Sequence, residues 1–167
     1  VYKRQDLATL PEFPAEIRAP QGTLAGVSAF QVRISDFAIT TPGDAPTVLV
    51  VMNPAALKAQ LHNLVQGGAI IVNTDAFTER NIEKAGYKSN PLDDGTLEGY
   101  RNYPVPMGQI TRDAVAEHGV KPRDAERSKN FFALGLISWM YTRPVEPTMD
   151  FINTKSVSYT HLTLPTS

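Results

Sequence analysis

The chain has 167 residues, 16 basic and 17 acidic side chains, a net charge of -1 and no cysteine. That length allows one domain with a sizeable core and is short for two. Balanced charge leaves no basic stripe for a nucleic-acid backbone, and no apolar stretch approaches the roughly 18 residues of a membrane span. Without cysteine there is no disulfide, no cysteine nucleophile and no iron–sulfur cluster on this chain's own thiolates.

The opening VYKRQDLATLPEF lacks the apolar core of a signal peptide, and no Asn-x-Ser/Thr acceptor occurs, so a cytoplasmic location is expected. Both ends break the pattern. VYKRQ bears no relation to the residues after it, and SVSYTHLTLPTS abandons a helical pattern partway through. Both resemble translated sequencing-adaptor sequence. Val1–Gln5 and Val157–Ser167 therefore read as non-native tails, and Asp6–Lys155 as the domain proper, a fragment of something longer.

Nothing strand-like is expected before Leu10, and Leu10–Arg18, with two prolines, reads as irregular. Phe30–Ile34 alternates, with Phe30, Val32 and Ile34 on one face and Gln31 and Arg33 on the other, which predicts a half-exposed strand. Thr41–Pro46 is a turn cluster. Thr47–Met52 is a nearly unbroken apolar run rich in valine, the pattern of a strand covered on both faces in a parallel sheet. Asn53 then stands at a helix N-cap position and Pro54 in the first helical turn, where its missing N–H costs nothing. Leu57, Leu61 and Leu64 give that helix its apolar stripe.

A second copy of the pattern comes next. Gly67-Gly68 make a turn, Ala69–Asn73 a strand, and Thr74/Asp75 cap the next helix, Thr78–Ala85, which stops at Gly86. Both apolar strands are expected at adjacent central positions. Ser89–Gly99 is a polar loop. Tyr100–Val105 is a strand that Pro104 and Pro106 mark as an edge or a strand end. Thr111–His118 is a short helix stopped by Gly119. Arg123–Tyr141 is apolar nearly all round, which predicts burial by more than one neighbour, with Phe131, Phe132, Leu134, Ile137 and Trp139 in core or domain-interface packing. A last helix begins at Glu146. Strand–helix alternation at this spacing defines an α/β class, Rossmann-like and doubly wound, with a mainly parallel sheet and right-handed crossovers. Such domains open with a strand and a glycine-rich turn, and this chain reads as missing that first βα unit.

Motifs of cofactor chemistry are sparse. No G-x-G-x-x-G joins a strand to a helix, Gly22 and Gly26 have the wrong spacing, and no P-loop lysine occurs. Asp75 could mimic a ribose-binding acid, but the plainer reading is a helix cap. Asp93-Asp94-Gly95 invites comparison with the Asp-Gly element that holds Mg²⁺ and thiamine diphosphate. It comes after no strand, and Lys121-Pro122 stands where the later asparagine ligand belongs, so it reads as a turn. His62, His118 and His161 share no ligand spacing, so no metal site is expected. Glu16-Ile-Arg18, with small residues after it, leaves two roles open: a bidentate clamp on phosphate or carboxylate, or a pair with Glu16 or with a partner chain's acid.

The segments PEFPAEIRAPQGTLAGVSAFQVRIS, TPGDAPTVLVVMNPAALKAQL, GGAIIVNTDAFTERNIEKAGY, NPLDDGTLEGY and KNFFALGLISWMYTRPVEPT together resemble one family. It is the gamma domain that opens the alpha subunit of 2-oxoacid:ferredoxin oxidoreductases, above all the 2-oxoglutarate type. The resemblance runs in order from about Asp6 to Lys155. It implies a thiamine-diphosphate and Mg²⁺ enzyme that decarboxylates a 2-oxoacid, sends two electrons through iron–sulfur clusters to ferredoxin and releases an acyl-CoA. It also implies a beta subunit and further thiamine-binding domains as partners, with neither nucleic acid nor membrane among them. The gamma domain itself would hold neither thiamine nor cluster, and would pack on the catalytic domains and help form the coenzyme A site. Arg18, Glu16 and Asn53, with the loop Ala19–Ser28, are the expected coenzyme A contacts. The family's glycine-rich first turn is not in this chain, and the fragment alone is expected to be inactive. Two other readings stay open: a truncated NAD-type nucleotide-binding dehydrogenase domain, or a ligand-free interaction module.

Overall fold

Backbone pairing, more than side-chain pattern, sets the first element. A computed structural model describes residues 6–12, 27–35, 38–40 and 45–160, and the chain divides into two compact units, Val1–Ile110 and Thr111–Ser167. In the first unit, β1 (Asp6–Glu12) pairs antiparallel with β2 (Ala29–Ser35), from Asp6 opposite Ser35 to Glu12 opposite Ala29. A strand before Leu10 corrects the sequence expectation. Its sequence, DLATLPE, lacks a clean alternation and contains a proline, so it carries no strand signal, and the ladder to β2 pairs its backbone whatever its side chains are. On β2 the predicted alternation holds, but Phe30 and Val32 face outward, 63% and 47% exposed.

The main sheet is parallel. Strands β3 (Val48–Val51), β4 (Ala69–Asn73) and β5 (Arg101–Val105) lie in the order β3-β4-β5, with Val48 opposite Ala69 and Ala69 opposite Arg101. β4 is buried at every position and is the central strand. β3 is half-buried and forms one edge among the described strands, so only one of the two apolar runs is central there. Pro104 is tolerated because β5 is the other edge, where a missing N–H breaks no second ladder.

Helix α1 (Pro54–Gln60) comes directly after β3, and a 3₁₀ turn at Leu61–Asn63 continues it. Gly68 lies in the return to β4 with a Cβ position only 2.8 Å from both the Leu64 side chain and the Val65 carbonyl, so a larger residue there forces its neighbours to shift. Helix α2 (Glu79–Lys84) is capped by Thr78, whose Oγ1 accepts from the Asn81 N–H, and it ends at Gly86 with φ +73. The core of this unit is Val51, Leu57, Leu64, Ile70, Val72, Phe77, Ile82 and Leu97. Each such aliphatic side chain contributes about 1.5–3 kcal/mol by leaving water. These elements make the chain a Rossmann-like, doubly wound α/β protein.

Helix α3 (Met107–Val115) begins directly after β5 and Pro106, four residues before the predicted start, and a 3₁₀ turn closes on Gly119 at φ +64. The second unit carries α4 (Pro122–Met140) and α5 (Glu146–Thr160). Only Ala125 and Ser138 of α4 are buried, while Trp139 is 78% exposed and Phe131 56%. Burial of this helix within the chain's own core is therefore corrected, while the domain-interface alternative concerns surfaces beyond this chain. An apolar pattern states what a helix would bury but does not supply the surface that buries it.

Candidate functional site

In open parallel sheets ligands gather at the carboxyl ends of the strands, above all where the strand order reverses. Here the order β3-β4-β5 does not reverse among the described strands, which leaves the carboxyl ends of β3 and β4 as the candidate region. Asn53 stands at the end of β3. Its backbone is extended, and its Oδ1 accepts the Ala56 N–H at 2.8 Å, while the Leu57 N–H donates to its carbonyl at 3.2 Å. The cap is the one the sequence predicts, and the residue is exposed. Glu16, Arg18 and positions 19–26 of the expected contact loop lie outside the described residues.

The end of β4 is organised differently from the prediction. Asn73 is 1% exposed, and its Oδ1 accepts the Met107 N–H at 3.2 Å, while its Nδ2 makes a long 3.5 Å contact to the Met52 carbonyl. Two residues on, Asp75 Oδ2 accepts the Gln109 N–H at 2.8 Å. Asn73 and Asp75 thus satisfy the first orphan N–H groups of α3, which has no acidic residue of its own in its first turn. Thr74 and Asp75 do not cap the next helix, as their sequence position predicts; Thr78 does. The two side chains reach a helix 34 residues away in the chain, which no local pattern encodes. One signal was available: a carboxamide closing a fully apolar strand must find partners once buried.

Two further features bear on chemistry. Lys58 on α1 donates to the Ala85 and Gly86 carbonyls at 2.9 Å, closing the C-terminus of α2, and its Nζ lies 5.2 Å from the centre of the Tyr87 ring. Burial raises the Tyr87 pKa, and the Asp94 charge adds to that. In the polar loop, Asp94 accepts from the Ser89 and Thr96 hydroxyls and from the Thr96 N–H at 2.9 Å, which holds its carboxyl below the ordinary range. Asn90 donates to Asp93, and Gly95 takes φ +87. Asp93-Asp94-Gly95 is therefore a self-bonded turn, with both Asp94 carboxylate oxygens and Asp93 Oδ2 engaged within the loop. These residues do not fit a thiamine–Mg²⁺ site. Among the described residues no three His, Asp or Glu side chains group to hold a metal ion. His62 and His118 are exposed and far apart in the chain.

A parallel α/β sheet whose central strand ends in side chains that cap α3 defines a Rossmann-like domain with no dinucleotide-binding glycine turn among the described residues. Comparison with known proteins narrows this further. A model of the family described as pyruvate ferredoxin/flavodoxin oxidoreductase matches residues 2–153, and the chain belongs to that family. It is 55% identical over 150 residues, 90% of its length, to the 2-oxoglutarate oxidoreductase subunit KorA of Mycobacterium tuberculosis. It also resembles a solved 2-oxoglutarate:ferredoxin oxidoreductase from Magnetococcus marinus with 2-oxoglutarate, coenzyme A and succinyl-CoA bound. That likeness has a TM-score of 0.53 at 28% identity and covers 80% of this chain. The chain spans 23% of the length of the first relative and 19% of the second.

Proposed function

We propose that this chain is the gamma domain, within Asp6–Lys155, of the alpha subunit of a thiamine-diphosphate-dependent 2-oxoacid:ferredoxin oxidoreductase of the 2-oxoglutarate type. The observation that carries this reading is 55% identity to KorA sustained over 150 residues. The complete enzyme converts a 2-oxoacid, coenzyme A and oxidised ferredoxin to acyl-CoA, carbon dioxide and reduced ferredoxin. This domain takes no catalytic part in that reaction. The chain has no cysteine to hold a cluster, and its Asp-Asp-Gly turn is bonded to itself. Thiamine diphosphate, Mg²⁺ and the iron–sulfur cluster thus fall to the thiamine-binding domains and the beta subunit, the direct partners. Ferredoxin is an indirect partner. No described helix is long and apolar enough to cross a membrane, and the proposed setting is cytoplasmic.

The domain's task is assembly and part of the coenzyme A site, with Arg18, Glu16 and Asn53 as the contacts. The position of Asn53 supports this, because it is exposed at the carboxyl end of the edge strand β3. A guanidinium at Arg18 matches a phosphate bidentately, and Glu16 can orient it. The test replaces the matching segment of a full-length KorA-type alpha subunit with this chain's 6–155 and co-expresses it with the beta subunit. Viologen reduction dependent on 2-oxoglutarate and coenzyme A is expected, and failure of the subunits to assemble would sink the reading. Within that enzyme, Arg18→Ala should raise the apparent KM for coenzyme A about tenfold, the loss of one charge-assisted contact, with the KM for 2-oxoglutarate unchanged. An unchanged coenzyme A dependence in an assembled enzyme removes Arg18 from the site.

A further inference from the structure

We draw no further inference here: the strongest candidate, the apolar groove between helices α4 and α5 lined by Phe131, Leu134, Val145, Met149 and Ile152, carries none because nothing in the structure shows what covers it.

Discussion

Asn73 is the residue on which the first unit turns. Its carboxamide lies between the ends of two strands and the start of α3, almost fully out of water. Asn73→Leu keeps the branched shape, with two bulkier methyls, and strands the Met107 N–H; a buried polar group left unpaired costs about 1–3 kcal/mol. Urea unfolding followed by circular dichroism should show that loss, and a variant as stable as the parent would mean that water replaces the side chain. Gly68 is held by space. A methyl there meets the Val65 carbonyl at 2.8 Å, and backbone cannot yield as a side-chain tip can. Gly68→Ala is therefore expected to destabilise by about 1–3 kcal/mol, as overpacking does, although its φ would suit alanine. Asn53 could be read directly from the chain, since a polar cap with a proline after it announces itself. Asn73 could not, because its partner is 34 residues away.

Elements are joined by side chains that cap a neighbour. Lys58 does this for α2, so Lys58→Met should fray the C-terminal turn of that helix while leaving α1 intact. Amide exchange at Ala85 and Gly86 reads the effect directly, with faster exchange there and little change at Leu57. The Ser89–Gly99 loop depends on pH through Asp94. Hydrogen bonds from Ser89 and Thr96 lower its pKa in the folded chain, so the folded state binds the proton less readily than the unfolded one. Its contribution is present in full above the unfolded value of about 4 and is lost as pH falls through the lower folded value. Carboxyl-carbon NMR titration of Asp94 should give a midpoint below that of the same residue in a short unfolded peptide of the loop; an equal midpoint would show that the loop bonds do not persist in solution. Helix α4 shows what pattern alone misses. Trp139 is expected at the core or a domain interface, yet it is 78% exposed in this chain. Trp139→Ala in the isolated chain should then shift stability by under about 0.5 kcal/mol, as surface substitutions do, where a buried tryptophan would cost about 3–5.

At the scale of the molecule, apolar surface is unevenly distributed. Phe30 and Val32 on the hairpin, and Phe131, Trp139, Met149 and Phe151 on the second unit, all stand in water. Monomers rarely keep large apolar patches exposed. The chain expressed alone should bind a hydrophobic dye and associate as its concentration rises, measured by light scattering at two concentrations. A dye-silent monomer would contradict this. In the proposed enzyme the remainder of the subunit and its partner would cover this surface, so co-expression should suppress both signals.

The α/β class, the Val48–Val51 and Ala69–Asn73 strands and the Asn53–Pro54 helix start were all legible in the chain. Each is decided by neighbours within a few residues: the apolar run, the cap and the turn glycine. The family was legible too, because long segments match in order, and the 55% identity bears that out. The strand at Asp6–Glu12, the edge position of β3, the capping of α3 by Asn73 and Asp75 and the exposure of Trp139 were not. Those depend on which backbone lies alongside and which surface is within reach, and one residue's periodicity carries neither. Hydrophobic pattern states how much an element must bury. Only the tertiary arrangement decides against what, because burial is a property of a pair of surfaces and a sequence segment describes just one of them.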